Sequence, residues 1–339
     1  MLRYFVAFSL ACATLGSPAA AQGGGEWRHE GSGISLPRQI GEMRLGNVRD
    51  ASDGGNYDVI AQLGSGATPV TLYVYRSAYP NAALWFERTR LAMNANVGSD
   101  ERRAEPSAIT IGGASAPNGL REDIALSGAP LRATSVAIIQ AGQWLVKARI
   151  SSSELDLPAV SARMDQLLGA LRFASMPAPH PLRVPQPCSD SNRMSGEPVT
   201  EMNEEILASA LPSLIMSEAA ARGSGGLAVD PSAWCRDATQ VPLQYGTVYR
   251  ARDGGAWVTL LADSGRAVSA MRTDLPELEQ TGRAALLANM PGGTSLIALF
   301  SDLPHPDRGT PAGIPVAAGA AQGMMSVGFG GPGESRGKN

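Results

Sequence analysis

Histidine and cysteine are scarce: three of each in 339 residues. His29, His180 and His305 each fall in a loop or linker, none at ligand spacing from another candidate, so no metal or cofactor site is expected. No G-x-S-x-G segment occurs, and an α/β-hydrolase would therefore lack its nucleophile turn. Gly223-Ser224-Gly225-Gly226 and Gly64-Ser65-Gly66 lack both the lysine and the strand-turn-helix setting of a phosphate loop, so they read as turns. Excess positive charge is missing too. The net charge is −3, with 28 basic against 31 acidic residues, which is no footprint for nucleic acid, and Arg88, Arg90, Arg102 and Arg103 read as a solvated cluster.

Long apolar runs are confined to the start of the chain. Arg3 is followed by an uncharged stretch from Tyr4 to about Leu15, then by Ser17-Pro18-Ala19-Ala20-Ala21. The run is shorter than the ~20 residues that cross a bilayer, and Ala19 and Ala21 form the small-residue pair of a signal-peptidase site. Residues 1–21 therefore read as a signal peptide cleaved before Gln22. The mature chain is placed in the periplasm or outside the cell, with no stable membrane span. Lipidation at Cys12 is the alternative, but Ser9 stands where the lipoprotein box wants an aliphatic residue.

Cleavage leaves 27 basic and 31 acidic residues, net −4, and only two cysteines, Cys188 and Cys235. Two cysteines in an oxidising compartment predict one disulfide, worth roughly 3–4 kcal/mol for a loop of that length. The alternative is two buried free thiols.

The first folded unit spans 30–174. Strand signals run through 33–37, 43–48, 57–63 and 70–76, punctuated by Asp53-Gly54-Gly55-Asn56 and 64–66. In the strand 70–76, Val70, Leu72 and Val74 share one face, and Thr71, Tyr73 and Tyr75 share the other. A helix over 82–96 carries an apolar stripe of Leu84, Trp85, Leu91, Ala92 and Ala95. Strands over 108–111, 120–127, 131–140 and 143–151 follow. A last helix is capped by Asp156, with Pro158 in its first turn and Val160, Met164, Leu167, Leu168 and Leu171 on its apolar face. The fold class is α+β, an antiparallel sheet with helices on one face, followed by a smaller α+β domain.

This order, with Ile34-Ser35-Leu36-Pro37 and Thr71-Leu72-Tyr73-Val74-Tyr75, resembles the Mog1/PsbP-like fold over about residues 30–174. The resemblance implies a scaffold with accessory or binding roles and brings no catalytic residues with it.

Five prolines between 177 and 187 predict an extended linker over 175–187. The smaller domain, 188–305, is expected to hold a helix over 200–222 interrupted at Pro212. Strands follow over 234–238, 247–251, 257–261 and 267–271, then a helix over 275–289 opened by Asp274 and Pro276, and a strand over 295–300. Asp274-Leu275-Pro276 echoes Asp156-Leu157-Pro158, an echo that ordinary helix-opening chemistry explains without a repeat. Residues 306–339, rich in Gly, Ala and Pro, read as a disordered tail.

Carboxylates offer no acid/base pair. Glu201, Glu204 and Glu205 suit a helix start, and Glu122 and Asp123 point to opposite faces of their strand. That leaves Tyr73 and Tyr75. On an uncovered sheet face they would line a groove for a peptide, a glycan or a partner protein; otherwise the second domain or a loop covers them. The function expected is thus an exported, non-enzymatic binding or accessory protein of the cell envelope, with an envelope protein or peptide as partner. The alternative is a hydrolase of an envelope polymer with its site between the domains.

Overall fold

A computed structural model describes residues 25–52, 54–64, 66–94, 101–103, 105–127, 130–174, 176, 179–189, 194–199, 227–237, 246–261, 265–273, 283–291, 293–317 and 326–328. The signal peptide and the helix expected over 200–222 lie outside these residues.

Two small hairpins come first: β1 (Glu26–Arg28) with β2 (Ser35–Pro37), and β3 (Gln39–Ile40) with β4 (Met43–Arg44). The first large sheet takes β5 (Val48–Asp50), β6 (Asp58–Gln62), β7 (Val70–Arg76), β8 (Glu101–Arg103), β9 (Ser107–Ile109), β10 (Gly119–Leu126), β11 (Ala133–Ala141) and β12 (Trp144–Ser152). Its order is β5-β6-β7-β12-β11-β10-β8, with β9 also on β10, and every pairing is antiparallel.

Two helices accompany it. Helix α2 (Leu157–Ala170) forms as its sequence signals: Asp156 accepts from the Ala159 N–H at 3.1 Å, Pro158 sits in the first turn, and Val160, Met164, Leu167 and Leu168 are buried. They pack on Val70, Leu72, Val74, Ala137, Ile139 and Val146, one face of the sheet. Helix α1 (Ala82–Asn94) lies on the other face, against Tyr75, Val136, Ile138 and Leu145.

The sequence stripe underestimates how deeply α1 is enclosed: every residue from Ala82 to Thr89 is buried, Arg88 included. A second sheet supplies the extra cover. It is a meander of β13 (Trp234–Arg236), β14 (Gly246–Ala251), β15 (Ala256–Leu261), β16 (Arg266–Arg272), β17 (Ala284–Met290), β18 (Gly293–Phe300) and β19 (Ser326–Gly328), each antiparallel to the next. Tyr249, Val258, Leu260 and Ala267 from this sheet share one core with Leu84, Trp85 and Phe86 of α1 and Tyr75 of β7. Each such side chain gains about 1.5–3 kcal/mol from full burial, so neither sheet keeps a complete core without the other.

Asn81, just before α1, joins the parts. Its Oδ1 accepts from the Ala83 N–H at 2.9 Å, while its Nδ2 donates to the carbonyls of Ala228 (2.7 Å) and Pro181 (3.2 Å). The proline-rich linker lies against the fold here, with Leu182 packed on the shared core.

Two expectations are overturned. Residues 284–289, expected as helix, are strand β17, paired on both sides by β16 and β18; residues 274–282 lie outside the described set. The expected disordered tail holds a helix, α3 (Pro306–Ala317), packed on β15 to β18. Small residues make that packing possible. A Cβ on Gly309 would lie 2.7 Å from Trp257 Cζ2, and one on Gly313 would lie 2.5 Å from Val268 Cγ2. Thr310 Oγ1 meets Thr259 Oγ1 at 2.8 Å, and Arg266 Nη1 donates to the Ala317 carbonyl at 2.9 Å at the helix end. No described helix is long and apolar enough to cross a membrane.

Candidate functional site

A groove of about 820 Å³ opens beside edge strand β5. One wall runs from Glu42, at the tip of the β3–β4 hairpin, to Asn47. The other is built from Gln62 to Gly64, Ala67, Thr68, Glu154 and Leu155, and Arg163 reaches in from α2. Backbone bonds fix the walls: Gly46 N–H to Gln62 O (2.8 Å), Gln62 N–H to Asn47 O (2.9 Å), Leu63 N–H to Val70 O (2.9 Å) and Ser153 N–H to Ala67 O (3.0 Å). Below them the Thr68 and Ser152 hydroxyls meet at 2.7 Å, and Ser152 Oγ accepts from the N–H groups of Glu154 (3.1 Å) and Leu155 (2.8 Å).

Met43, Leu45 and Leu63 run beneath the groove with their side chains buried in the core, whereas Glu42, Arg44 and Glu154 are exposed around the rim. Arg163 donates from Nη2 to Glu42 Oε2 at 2.7 Å across one end. No histidine, cysteine or aromatic side chain is among the described lining residues. A groove with fixed walls and a rim of both charge signs is suited to holding an extended polar ligand.

The Tyr73 and Tyr75 face is not an open groove. Tyr75 is fully buried beneath α1 and the second sheet, its ring 6.0 Å from that of Trp85, and Tyr73 is half-buried with Lys147 Nζ 5.0 Å from its ring centre. Alternation along β7 placed the pair correctly on one face; that face is covered by α1, close in sequence, and by a second sheet more than a hundred residues away. The space between the two sheets, where a hydrolase site was the alternative, holds the shared core around α1.

Cys188 and Cys235 form the disulfide, which ties the linker end to β13. Glu122 and Asp123 separate onto opposite faces as expected, and each meets arginine. Arg90 donates to Glu122 from Nε (3.0 Å) and Nη2 (3.1 Å), and Arg121 forks onto Asp123 at 2.9 Å twice. Ser135 and Ser161 also donate to Asp123, and Arg121 reaches Asp165 and the Ser161 carbonyl on α2. Burial disfavours the Asp123 carboxylate, but hydrogen bonds from Arg121, Ser135 and Ser161 outweigh it and lower its pKa. This network clamps α2 to the sheet.

Two further buried groups escaped sequence reasoning. Glu87 of α1 accepts from the Tyr249 hydroxyl and pairs with Arg236. Burial raises its pKa against the pull of both partners, and the same burial, with the Glu87 charge beside it, raises that of Tyr249 well above the usual phenol value. His29 is the other. Its Nε2 donates to the Asn56 carbonyl at 2.9 Å, its Nδ1 accepts from the Ser32 N–H at 3.1 Å and lies 2.8 Å from Ser32 Oγ, and its ring stands edge-on to Trp144. Burial lowers the His29 pKa. No cluster of three metal-ligating side chains occurs among the described residues.

No family model matches the chain, and no curated protein is similar to it in sequence.

Proposed function

We propose that this is an exported, non-enzymatic binding or accessory protein of the cell envelope that engages a partner protein or peptide through the groove at Glu42–Asn47 and Gln62–Thr68. The observation that carries the reading is the make-up of that groove. Its walls are held in place by backbone hydrogen bonds, and its rim offers charges of both signs. A pre-formed surface of this kind binds without a large ordering cost. The leader-like residues 1–21 and the Cys188–Cys235 disulfide support an oxidising compartment, and the resemblance of 30–174 to the Mog1/PsbP-like fold supports an accessory role.

The test is a photo-crosslinking amino acid at Asn47, on the groove wall, compared with one at the exposed position Glu30. Both are expressed in the native host and read by mass spectrometry. One dominant envelope partner captured from position 47 and absent from position 30 is the expected outcome. Equal or no capture from the two positions would count against the groove as the binding surface.

A further inference from the structure

A directed hydrogen-bond chain joins the β1–β2 turn to the β5–β6 turn. Ser32 Oγ lies 2.8 Å from His29 Nδ1, and His29 Nε2 donates to the Asn56 carbonyl at 2.9 Å. The N–H of that same peptide group, on Tyr57, donates to Ser52 Oγ at 3.1 Å, and Ser52 Oγ in turn donates to the Asp50 carboxylate. A carbonyl oxygen only accepts, so the imidazole proton sits on Nε2 and Nδ1 carries the lone pair that meets both the Ser32 N–H, at 3.1 Å, and the Ser32 hydroxyl. Ser32 Oγ accepts from the Ile34 N–H at 3.2 Å and keeps its own proton for Nδ1. Asp50 also holds the second turn in shape: its Oδ2 accepts from the N–H of Asn56 at 3.0 Å, a residue at φ +52°. Nucleophile, base and carboxylate thus stand in the order of a catalytic triad, with a peptide group and a serine hydroxyl between the last two, each donor polarising the next.

Independently of the groove, we propose that Ser32 is a nucleophile that takes one acyl group from an activated ester, with His29 as its general base and Asp50 as a positioning residue. The Ser32 hydroxyl proton passes to His29 Nδ1 as Oγ bonds to the acyl carbon. The ester C–O bond then breaks and the departing oxygen takes that proton from Nδ1, leaving acyl-Ser32 and an alcohol. Burial lowers the His29 pKa, so the ring is unprotonated near neutral pH and ready to accept. Ser32 is half-buried beside exposed Gly31, and a Cβ on Gly31 would lie 3.2 Å from Trp144 Cζ2. The approach is therefore open backbone walled on one side by indole, which suits an uncharged acyl chain over a charged phosphoryl group. One acyl group per chain is a covalent mark rather than turnover, and a binding protein can carry it.

The experiment treats the mature chain, disulfide intact, with p-nitrophenyl acetate and follows acetylation at each serine by peptide mass spectrometry. Ser153, exposed and donating to the Ala67 carbonyl, is the internal reference. Ser32 is expected to gain acetyl roughly a hundredfold faster than Ser153, the scale of a general base. His29→Gln should remove that advantage and leave Ser153 unchanged. The Ser32 rate should rise with pH to a plateau, its midpoint coinciding with the His29 ring titration below 6.5. Asp50→Asn should slow the reaction and move the midpoint to lower pH, because Asp50 and Glu30 are the negative charges that favour the imidazolium. An unmoved midpoint would overturn the part given to Asp50. If His29→Gln does not fold, the parent's Ser32-to-Ser153 ratio and its pH midpoint still decide. Equal rates at the two serines, a Ser32 rate indifferent to the His29 titration, or acetylation confined to other residues would each overturn the proposal.

Discussion

Glu87 on α1 accepts a hydrogen bond from the phenolic hydroxyl of Tyr249 on β14, joining the helix packed on the first sheet to the second sheet. Its other carboxylate oxygen takes Nη1 of Arg236, on the strand that carries Cys235. The pair lies where the shared core closes, and Tyr249 is fully buried. Removing one partner of a buried hydrogen bond strands the other.

Tyr249→Phe should therefore lower the free energy of unfolding by about 1–3 kcal/mol, the cost of leaving the Glu87 carboxylate short of a donor. Glu87→Gln keeps an acceptor for the phenol and loses the Arg236 ion pair, so its cost should be smaller, near 1 kcal/mol by the same reasoning. Urea unfolding of the three proteins measures both. Identical midpoints for Tyr249→Phe and the parent would show that the bond contributes nothing.

His29 makes stability depend on pH in a stated direction. Its folded-state pKa lies below the ordinary 6.5, so between the two values the unfolded chain binds more protons than the native one. Stability is complete above the unfolded value and falls as pH drops through 6.5 toward the folded pKa. His180 is shifted the same way by burial and adds to the trend. Asp123, whose pKa is lowered, begins to lose its contribution only near the ordinary carboxylate value of 3.8, in more acid solution. Unfolding midpoints at about pH 7.5 and pH 5.5 should therefore separate, and His29→Phe should narrow the gap. A His29 ring resonance titrating at or above 6.5 would refute the account.

How much of this was legible in the sequence depended on whether the partner surface was local. The alternation of β7 was readable because its aliphatic residues all fall on the face that α2 covers, and the cap and stripe of α2 because that helix buries one face. The stripe on α1 was only half the story, since a helix between two sheets buries its whole circumference and its second partner lies beyond residue 226. Ala284-Ala285-Leu286-Leu287-Ala288 reads as helix by propensity, having no β-branched residue, yet pairing with β16 and β18 overrides that preference. In α3 the small residues looked like tail composition, with Pro311 and Pro315 arguing against helix. The signal that could have found it is Gly309 and Gly313, four apart, where a helix meets bulky Trp257 and Val268. The groove left no trace at all. Residues 42, 62, 154 and 163 are ordinary surface polar residues until the fold gathers them.

The disulfide closes a loop of sequence separation 47, for which unfolded-chain entropy predicts about 4 kcal/mol of stabilisation. The Cys188→Ser, Cys235→Ser double variant should lose up to that amount while keeping its native fold. Cys188 N–H donates to Arg236 O at 2.9 Å and Arg236 N–H to Gln186 O at 2.8 Å, so a short parallel bridge still holds the linker end when the sulfurs are gone. A loss of roughly 2–4 kcal/mol in urea, with far-UV circular dichroism unchanged at rest, is the expected result. A variant as stable as the parent would mean that the backbone bridge alone secures β13.

Gly265 tests how tightly the second sheet docks on the first. Its carbonyl accepts from the Ala78 N–H at 2.8 Å, its φ is +70°, and a Cβ there would lie 2.6 Å from Arg76 O and 2.9 Å from Tyr75 Cδ2. Gly265→Ala thus combines the conformational penalty of a side chain at positive φ with a clash against backbone, for about 2–4 kcal/mol in all. Gly54→Ala separates the two, because Gly54 has φ +89° and nothing within 4 Å, leaving only the conformational part of about 1 kcal/mol. If the junction is a core rather than a loose contact, Gly265→Ala should lower the midpoints read by tryptophan fluorescence and by far-UV circular dichroism together, since both sheets depend on the same buried residues. Equal costs at the two glycines would mean that the junction yields to a methyl group, and the second sheet would then be a separately mobile unit.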